Sequence, residues 1–182
     1  MSGFAVVYNK KDRLELESMF HLIKHRGPYL SGIFEDKRIA MAQNYLIGDI
    51  PGNPDVVLAG GDTQVPAFNA KYPELRICYD GQMGNWQELS PVYGIPDGSF
   101  REERLLLQLY QNHGKSMFSH LNDAVFAFVL SDGEKLFAAR DLLGIKTLFY
   151  GRKNARLYFA SELKSLVETT DDVYEFPPGH YM

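Results

Sequence analysis

The chain begins with a short apolar run whose composition constrains the fold more than any other segment does. Residues 2–8, Ser2-Gly3-Phe4-Ala5-Val6-Val7-Tyr8, place β-branched and aromatic side chains after a flexible glycine. Such a run is typical of a β-strand that is buried on both faces. We therefore expect this strand to lie in the interior of the protein, with its first residue at the mouth of the sheet.

Ser2 would become an amino-terminal hydroxyl residue if Met1 were removed. A free α-amine titrates at about 7.7 to 8.0, so it can take the proton from the side-chain oxygen of its own residue. That oxygen then becomes a nucleophile without a separate histidine base. The alternative is that Ser2 is simply the second residue of an ordinary protein, which the dipeptide alone does not exclude.

Composition narrows the possible partners. The 182 residues are 45% hydrophobic and 13% aromatic, which is enough for the core of one domain over residues 1–182. A net charge of -4 predicts neither a nucleic-acid partner nor an anionic membrane surface. The single cysteine, Cys78, cannot form an internal disulfide, which favours a reducing cytoplasm. The sequence has neither Cys and His residues at zinc-ligand spacing nor an apolar run long enough to cross a membrane. We therefore expect no metal site, no cofactor and no membrane span.

Helix signals occur at several places along the chain. Asp12 is a candidate N-cap for an amphipathic helix whose apolar residues recur until Gly27-Pro28. Glu102 and Glu103 supply first-turn acids for a second helix that begins at Arg101. Shorter helical turns are predicted at residues 86–89, 116–121 and 162–167.

Strand-like runs separated by hairpin-length turns cover much of the remaining chain. These runs are residues 31–35, 38–46, 56–59, 75–79, 124–130, 135–140, 148–150 and 156–160. The run at 75–79 is expected to stop at a turn or bulge at Asp80-Gly81, and residues 47–69 are expected to form a long loop around one strand. The short turns predict mostly antiparallel sheets with helices packed on their outer faces.

An ordered set of short motifs runs through nearly the whole chain. The motifs are Met1-Ser2-Gly3-Phe4, His25-Arg26-Gly27-Pro28 with Ser31-Gly32-Ile33, Gln64 with Pro66, Tyr79-Asp80-Gly81 with Asn85, Ala127-Phe128, Arg140-Asp141-Leu142-Leu143-Gly144-Ile145 with Leu148 and Tyr150, Ala160-Ser161-Glu162-Leu163-Lys164-Ser165-Leu166, and Phe176-Pro177-Pro178-Gly179-His180-Tyr181. Together they resemble the class II glutamine amidotransferase domain, the glutaminase half of asparagine synthetase B and its relatives. The resemblance implies an α+β fold, a four-layer α/β/β/α N-terminal-nucleophile hydrolase sandwich of two mainly antiparallel sheets.

The resemblance also implies a reaction that serves asparagine biosynthesis. In that family an N-terminal cysteine attacks the side-chain amide of glutamine, ammonia leaves for a synthetase domain, and water clears the thioester. An asparagine side chain and the amide of the following glycine form the oxyanion hole. An arginine holds the substrate carboxylate and an aspartate holds its amino group. Glutamine or a related amide is therefore the ligand that the resemblance implies.

The positions that carry this chemistry are altered around the nucleophile. Ser2 stands at the nucleophile position, and a hydroxyl is much harder to ionise than a thiol. Gly81 is retained at the oxyanion-hole pair, but Asp80 replaces the asparagine. A carboxylate offers an acceptor where a donor is required, and it repels the developing oxyanion.

The substrate-binding positions are altered as well. Tyr45 aligns with the carboxylate-binding arginine, and a tyrosine lacks the charged fork. Glu102 aligns with the amine-binding aspartate without a gap, whereas a shifted alignment places Phe100 there. Arg26 is retained, either for a site or for a structural salt bridge where the first helix ends. Adjacent residues on a helix point in different directions, so Glu102 and Glu103 are expected to supply N-terminal charge and not to act as a catalytic pair.

Two functions are consistent with these residues. One is a glutaminase-like domain with impaired or lost activity, kept as a structural, regulatory or ligand-binding module for a synthetase-like domain or subunit, or for a second copy of itself. The other is an active amidohydrolase that uses Ser2 after Met1 is removed and releases ammonia from glutamine or another amide. The sequence contains no Ser-Gly-Gly-rich pyrophosphate loop, so this stretch of chain is not expected to make asparagine by itself.

Overall fold

The computed structural model describes residues 2–9, 12–28, 30–46, 65–69 and 72–182. The strands in chain order are β1 (Gly3–Tyr8), β2 (Leu30–Glu35), β3 (Ile39–Tyr45), β4 (Ala67–Asn69), β5 (Tyr72–Met83), β6 (Ala124–Ser131), β7 (Leu136–Arg140), β8 (Phe149–Lys153), β9 (Arg156–Ala160) and β10 (Asp172–Glu175). The helices are α1 (Arg13–His21), α2 (Trp86–Val92), α3 (Arg101–His113) and α4 (Lys164–Val167), with 3-10 helices at Lys24–Arg26 and Gly114–His120.

The strands form two antiparallel sheets. The first has the order β10-β8-β9-β1-β3-β2, and the second has the order β4-β5-β6-β7. Strand β1 lies between β9 and β3, with Gly3 opposite Asn44 and Ala5 opposite Ala160. Its residues from Gly3 to Val7 are buried, which confirms the interior strand expected from the sequence.

Alternate residues of β1 face two different cores, because side chains of a strand point to opposite faces in turn. Phe4 and Val6 pack between the two sheets, and Ala5 and Val7 pack on the outer side of the first sheet. The inter-sheet core also contains Met41, Cys78, Val129 and Phe159, and the outer core contains Leu16, Met19 and Phe20 of α1.

A third core lies on the other side of the second sheet. There, Leu105, Leu106 and Leu109 of α3 pack with Ile77 of β5 and Phe128 of β6. The layers are therefore helix, sheet, sheet and helix, and the expected α/β/β/α sandwich is confirmed.

The local signals for the first helix and the first hairpin are confirmed. The Asp12 side chain accepts a hydrogen bond from Glu15 N at 3.2 Å and caps α1. Asp36 turns the chain between β2 and β3 because its Oδ1 accepts from the backbone N–H groups of Arg38 and Ile39. Helix α1 is shorter than the pattern predicts, since it ends at His21 and only a 3-10 turn follows before Gly27.

The expected strand end at Asp80-Gly81 is wrong. Strand β5 continues through both residues to Met83, with Asp80 opposite Ala127 and Gly81 opposite Phe126 in β6. Pairing along β6 overrides the local turn preference of an Asp-Gly dipeptide. Strands β4 and β10 are not predicted by the sequence either, and the expected strand at 56–59 and the motif residue Gln64 lie outside the described residues.

Candidate functional site

A cleft of about 520 Å³ opens where β1 begins, beside the ends of β3 and β5 and the first turns of α2 and α3. Its lining is more polar than the three cores because it combines hydroxyl, carboxylate and guanidinium groups. The residues that line it are Ser2, Tyr45, Tyr79, Gly81, Gln82, Met83, Gly84, Trp86, Arg101, Glu102, Glu103, Asp123 and Val125.

Ser2 lies at the inner end of this cleft and is 3% exposed. Its backbone N donates to Asp80 Oδ1 at 3.3 Å, and its carbonyl oxygen accepts from Arg26 Nε at 2.9 Å. Two residues along, the amide of Phe4 donates to Ser161 Oγ at 3.0 Å. Side chains from three distant segments therefore hold the start of β1 in place.

Asp80 forms the centre of a buried group of charges behind Ser2. Arg26 Nη2 lies 2.8 Å from its Oδ2, and Lys146 Nζ lies 3.1 Å from its Oδ1. Arg26 also contacts Glu162 through Nη1 at 3.2 Å. The Asp80 side chain is 2% exposed, so both of its oxygens are turned to protein donors and away from solvent.

Glu162 is the outer carboxylate of this group. Burial raises the pKa of Glu162, but hydrogen bonds from Lys164 and Arg26 outweigh that effect and leave the pKa below its usual value. Arg26 is therefore paired with carboxylates on both sides. The structural reading of Arg26, a salt bridge where the first helical segment ends, is consistent with these contacts.

Gly81 lies on the same face of β5 as Tyr79, two residues earlier, and the tyrosine ring covers it. A Cβ atom at position 81 would lie 2.6 Å from Cε2, Cζ and Oη of Tyr79. No side chain fits there without moving the ring. The close approach of Tyr79 accounts for glycine at this position.

Tyr45 and Glu103 form a buried hydrogen-bonded pair in the cleft. Tyr45 Oη donates to Glu103 Oε1 at 2.9 Å, and the two residues are 2% and 6% exposed. Burial raises the pKa of Glu103 to about 7, although the hydrogen bond from Tyr45 opposes the shift. Burial and the neighbouring Glu103 charge raise the pKa of Tyr45 well above its ordinary value. Phe100 packs edge-on against the Tyr45 ring, with centroids 5.2 Å apart.

Glu102 makes the corresponding pair with Tyr79. Its Oε2 accepts from Tyr79 Oη at 2.7 Å and from Met83 N at 3.1 Å. Burial raises the pKa of Glu102, against the opposing effect of these two hydrogen bonds. Both adjacent glutamates thus lie in the cleft. Each accepts a hydrogen bond from a tyrosine hydroxyl, and the two tyrosines belong to different strands.

Arg101 and Trp86 also line the cleft, and their side chains stack on each other. The Arg101 Cζ atom lies 3.3 Å from the centroid of the Trp86 ring, which is a close cation–π stack. The Nε atom of Arg101 is buried and has no hydrogen-bond partner. Nothing in the sequence signalled this pair, because its two members begin different helices.

The structure separates the predicted site residues into two sets. Ser2, Gly81, Tyr45 and Glu102 line the cleft together, whereas Asp80 and Arg26 lie in the buried charged group behind it. The sequence reasoning missed Lys146, Arg101 and the cleft-facing position of Glu103. Glu102 and Glu103 lie in the first turn of α3, as expected, and both also accept hydrogen bonds inside the cleft.

The described part of the chain has neither a metal-binding cluster nor a membrane-spanning helix. Within residues that the structure describes, no group of three or more His, Cys, Asp or Glu side chains is placed to hold a metal ion. None of the described helices combines the length and apolar character needed to cross a membrane.

Known proteins resemble this chain in fold. The solved glutamine phosphoribosylpyrophosphate amidotransferase from B. subtilis, complexed with ADP and GMP, superposes with a TM-score of 0.77 at 16% identity. The match covers 100% of this chain and 46% of that one. At this identity the comparison supports the fold alone, a sandwich of two antiparallel sheets between helices.

Sequence comparisons extend the likeness to a family. The family model described as a glutamine amidotransferase domain matches residues 1–180. Asparagine synthetase B [glutamine-hydrolyzing] of Escherichia coli (strain K12) is 34% identical over 192 residues, covering 100% of this chain and 32% of the relative. Asparagine synthetase [glutamine-hydrolyzing] 1 of Saccharomyces cerevisiae is 31% identical, and the match covers 87% of this chain and 27% of the relative. The chain spans about a third of the length of these relatives. It belongs to the class II glutamine amidotransferase domain family and is homologous to the N-terminal domain of asparagine synthetase B.

Proposed function

We propose that this amidotransferase domain has lost efficient glutamine hydrolysis and serves as a structural, regulatory or ligand-binding module. The observation that carries the proposal is the state of Asp80, which stands where the family has the oxyanion-hole asparagine. Its two oxygens accept from Arg26 and Lys146 at 2.8 and 3.1 Å. The group at this position is therefore an acceptor committed to two cations, and not a donor available to a substrate oxygen.

Replacement of the asparagine by Asp80 raises the free energy of the transition state, in which the oxyanion forms. Loss of one oxyanion-hole donor raises the barrier by about 2.7 to 4 kcal/mol, on the order of 100- to 1000-fold in rate. A carboxylate at the same position adds repulsion of the developing negative charge. The Gly81 amide alone leaves the oxyanion with half of its usual donors.

Asp80 also acts against Ser2 as a nucleophile. If Met1 is removed, the Ser2 nitrogen that lies 3.3 Å from Asp80 Oδ1 becomes an α-amine. A neighbouring carboxylate favours the protonated form of an amine. The protonated amine cannot take the hydroxyl proton, so activation of Ser2 Oγ is weakened.

The relatives suggest what such a module would serve. They carry the name asparagine synthetase, and this chain matches about a third of their length. We propose that the domain, folded as one unit over residues 1–182, packs in the cytoplasm against a synthetase-like domain or subunit, or against a second copy of itself. Its contribution to asparagine biosynthesis would then be structural or regulatory.

A second function is favoured by one observation, the position of Ser2 in the lining of the cleft. In that case Ser2 hydrolyses glutamine or another amide once Met1 is gone. Intact mass shows whether Met1 is removed in the cell, and it defines which form of the protein is assayed.

The deciding experiment measures ammonia release from L-glutamine. We expect the unmodified protein to match the background set by Ser2→Ala, and the Ser2→Cys, Asp80→Asn double variant to exceed it. Clear turnover by the unmodified protein overturns the proposal. Failure of the double variant to turn over identifies Tyr45 and Glu102 as the further barriers.

A further inference from the structure

Arg101 is a cation that lines the cleft, and its charge opposes the rise in the pKa of the neighbouring Glu102. Arg101 makes no ion pair with any carboxylate in residues 2–9, 12–28, 30–46, 65–69 and 72–182. Its Nε atom is buried without a hydrogen-bond partner. Buried polar groups are nearly always hydrogen-bonded, so this unpaired donor, on a residue that lines the cleft, indicates an acceptor that the described residues do not supply.

The Trp86 ring holds the Arg101 guanidinium ready for such an acceptor. Stacking over the ring at 3.3 Å occupies one face of the guanidinium and leaves its edge, with the N–H donors, for hydrogen bonds. The edge of a guanidinium matches the two oxygens of a carboxylate in a bidentate arrangement. The chemistry at this end of the cleft is therefore suited to a carboxylate.

The other end of the cleft excludes a carboxylate. Tyr45, which replaces the arginine that the resemblance implies for this role, donates its hydroxyl proton to the buried Glu103. A ligand carboxylate placed there would meet the carboxyl group of Glu103. The favourable position for a negative group has therefore moved from β3 to the first residue of α3.

Glu102 provides the complementary acceptor next to Arg101. The hydrogen bonds from Tyr79 and Met83 both end on Oε2, and Oε1 accepts none from the described part of the chain. An ammonium group would be stabilised by that oxygen. Adjacent positions in the chain thus carry one group for an anion and one for a cation.

We propose that Arg101 is the carboxylate-binding residue of this cleft, and that the cleft binds a small α-amino acid with its carboxylate on Arg101 and its ammonium group on Glu102. The inference rests on the ligand-binding role proposed above. It concerns binding only and requires no hydrolysis.

The test is isothermal titration of L-glutamine into the unmodified protein and into Arg101→Met. The methionine keeps an unbranched stem over Trp86 and removes the donors, so we expect affinity to fall about tenfold or more. Arg104→Met is the matched control, because it removes an arginine from the same helix that does not line the cleft. We expect this control to bind like the unmodified protein.

A second probe needs no variant. L-glutaminamide carries an amide in place of the carboxylate, so we expect it to bind the unmodified protein about tenfold or more weakly than L-glutamine does, with no further loss in Arg101→Met. Equal affinity for the two probes overturns the inference. So does unchanged L-glutamine binding in Arg101→Met, or no L-glutamine binding by the unmodified protein up to millimolar concentration.

The two proposals fail in different ways. Ammonia is measured in the same titrated samples, and turnover by the unmodified protein would overturn the loss of hydrolysis without touching the dependence on Arg101. An unaffected Arg101→Met affinity would overturn only the ligand assignment. Thermal unfolding of each variant separates lost binding from lost folding.

Discussion

Tyr45 donates a hydrogen bond of 2.9 Å to Glu103, and the pair places a buried carboxyl group where the family resemblance implies a guanidinium. The polarity of this end of the cleft is reversed relative to the arginine that would hold a substrate carboxylate there. The preceding residue, Glu102, likewise accepts a hydrogen bond from the hydroxyl of Tyr79. Two carboxyl groups from the first turn of α3 thus reach the cleft, and each is held by a tyrosine hydroxyl.

Stability should depend on pH through Glu103. Burial raises the pKa of Glu103 from 4.5 to about 7, so the native state keeps a proton that the unfolded state releases. The contribution of Glu103 to the free energy of unfolding is complete below its pKa in the unfolded state. It is lost as the pH rises through its pKa in the folded state. Between about pH 4.5 and 7 the unmodified protein should lose on the order of 3 kcal/mol more stability than Glu103→Gln, which cannot ionise. Urea denaturation of both proteins across this range tests it, and parallel curves would contradict it.

Replacement of Asp80 should destabilise the fold. Asp80→Asn leaves the partly buried Arg26 and Lys146 beside a neutral group, and loss of one partner from a largely buried ion pair costs on the order of 3 kcal/mol. Glu17→Gln is the control, since its contact with Arg13 is 2.8 Å long but both side chains are exposed, and such a pair contributes less than about 1 kcal/mol. Urea unfolding of the two variants gives the comparison. Equal stabilities would show that the buried charges do not hold Asp80.

A side chain at position 81 should disturb the cleft. The Cβ of Gly81→Ala would lie 2.6 Å from the Tyr79 ring, and insertion of one methyl group into packed surroundings costs about 1 to 3 kcal/mol. Gln82→Ala, on the exposed face of the same strand, should change stability by less than about 0.5 kcal/mol. Thermal unfolding midpoints distinguish the two. An unshifted midpoint for Gly81→Ala would mean that the ring moves freely.

The Cys78 thiol should be protected in the native protein. It is fully buried between the sheets, and burial raises the pKa of the thiol well above its ordinary value. Little thiolate is present and none of it is accessible, so an aromatic disulfide reagent should label Cys78 only after denaturant is added. Absorbance of the released thiolate measures the rate. Immediate labelling without denaturant would show that the inter-sheet core opens readily.

Turn and capping chemistry could be read directly from the sequence. Asp36 between β2 and β3 and Asp12 before α1 act through backbone groups two or three residues away, so their effects are visible in a short window. The alternation of β1 between two cores is likewise a property of its own residues. These local features, together with the order of the motifs, were sufficient for the layer arrangement and for the family.

Sheet extension could not be read in this way. Asp80-Gly81 has the local preference of a turn, yet it lies within β5 because β6 pairs with it residue by residue. Strand β10 is short and largely exposed, so it has no apolar alternation to detect, and it forms only by pairing with β8. In both cases the partner strand decides, and the partner is distant in sequence.

The sequence by itself determined the fold family and the strand that carries Ser2, and it predicted which positions would form a site. Only the tertiary structure decided which partners the residues at those positions have. Lys146 reaches Asp80 across 66 positions of the chain, Glu103 reaches Tyr45 across 58, and Arg101 meets Trp86 from another helix. The chemistry of a charged group depends on its burial and its partners, and these are set by packing between distant segments and not by neighbours in the chain.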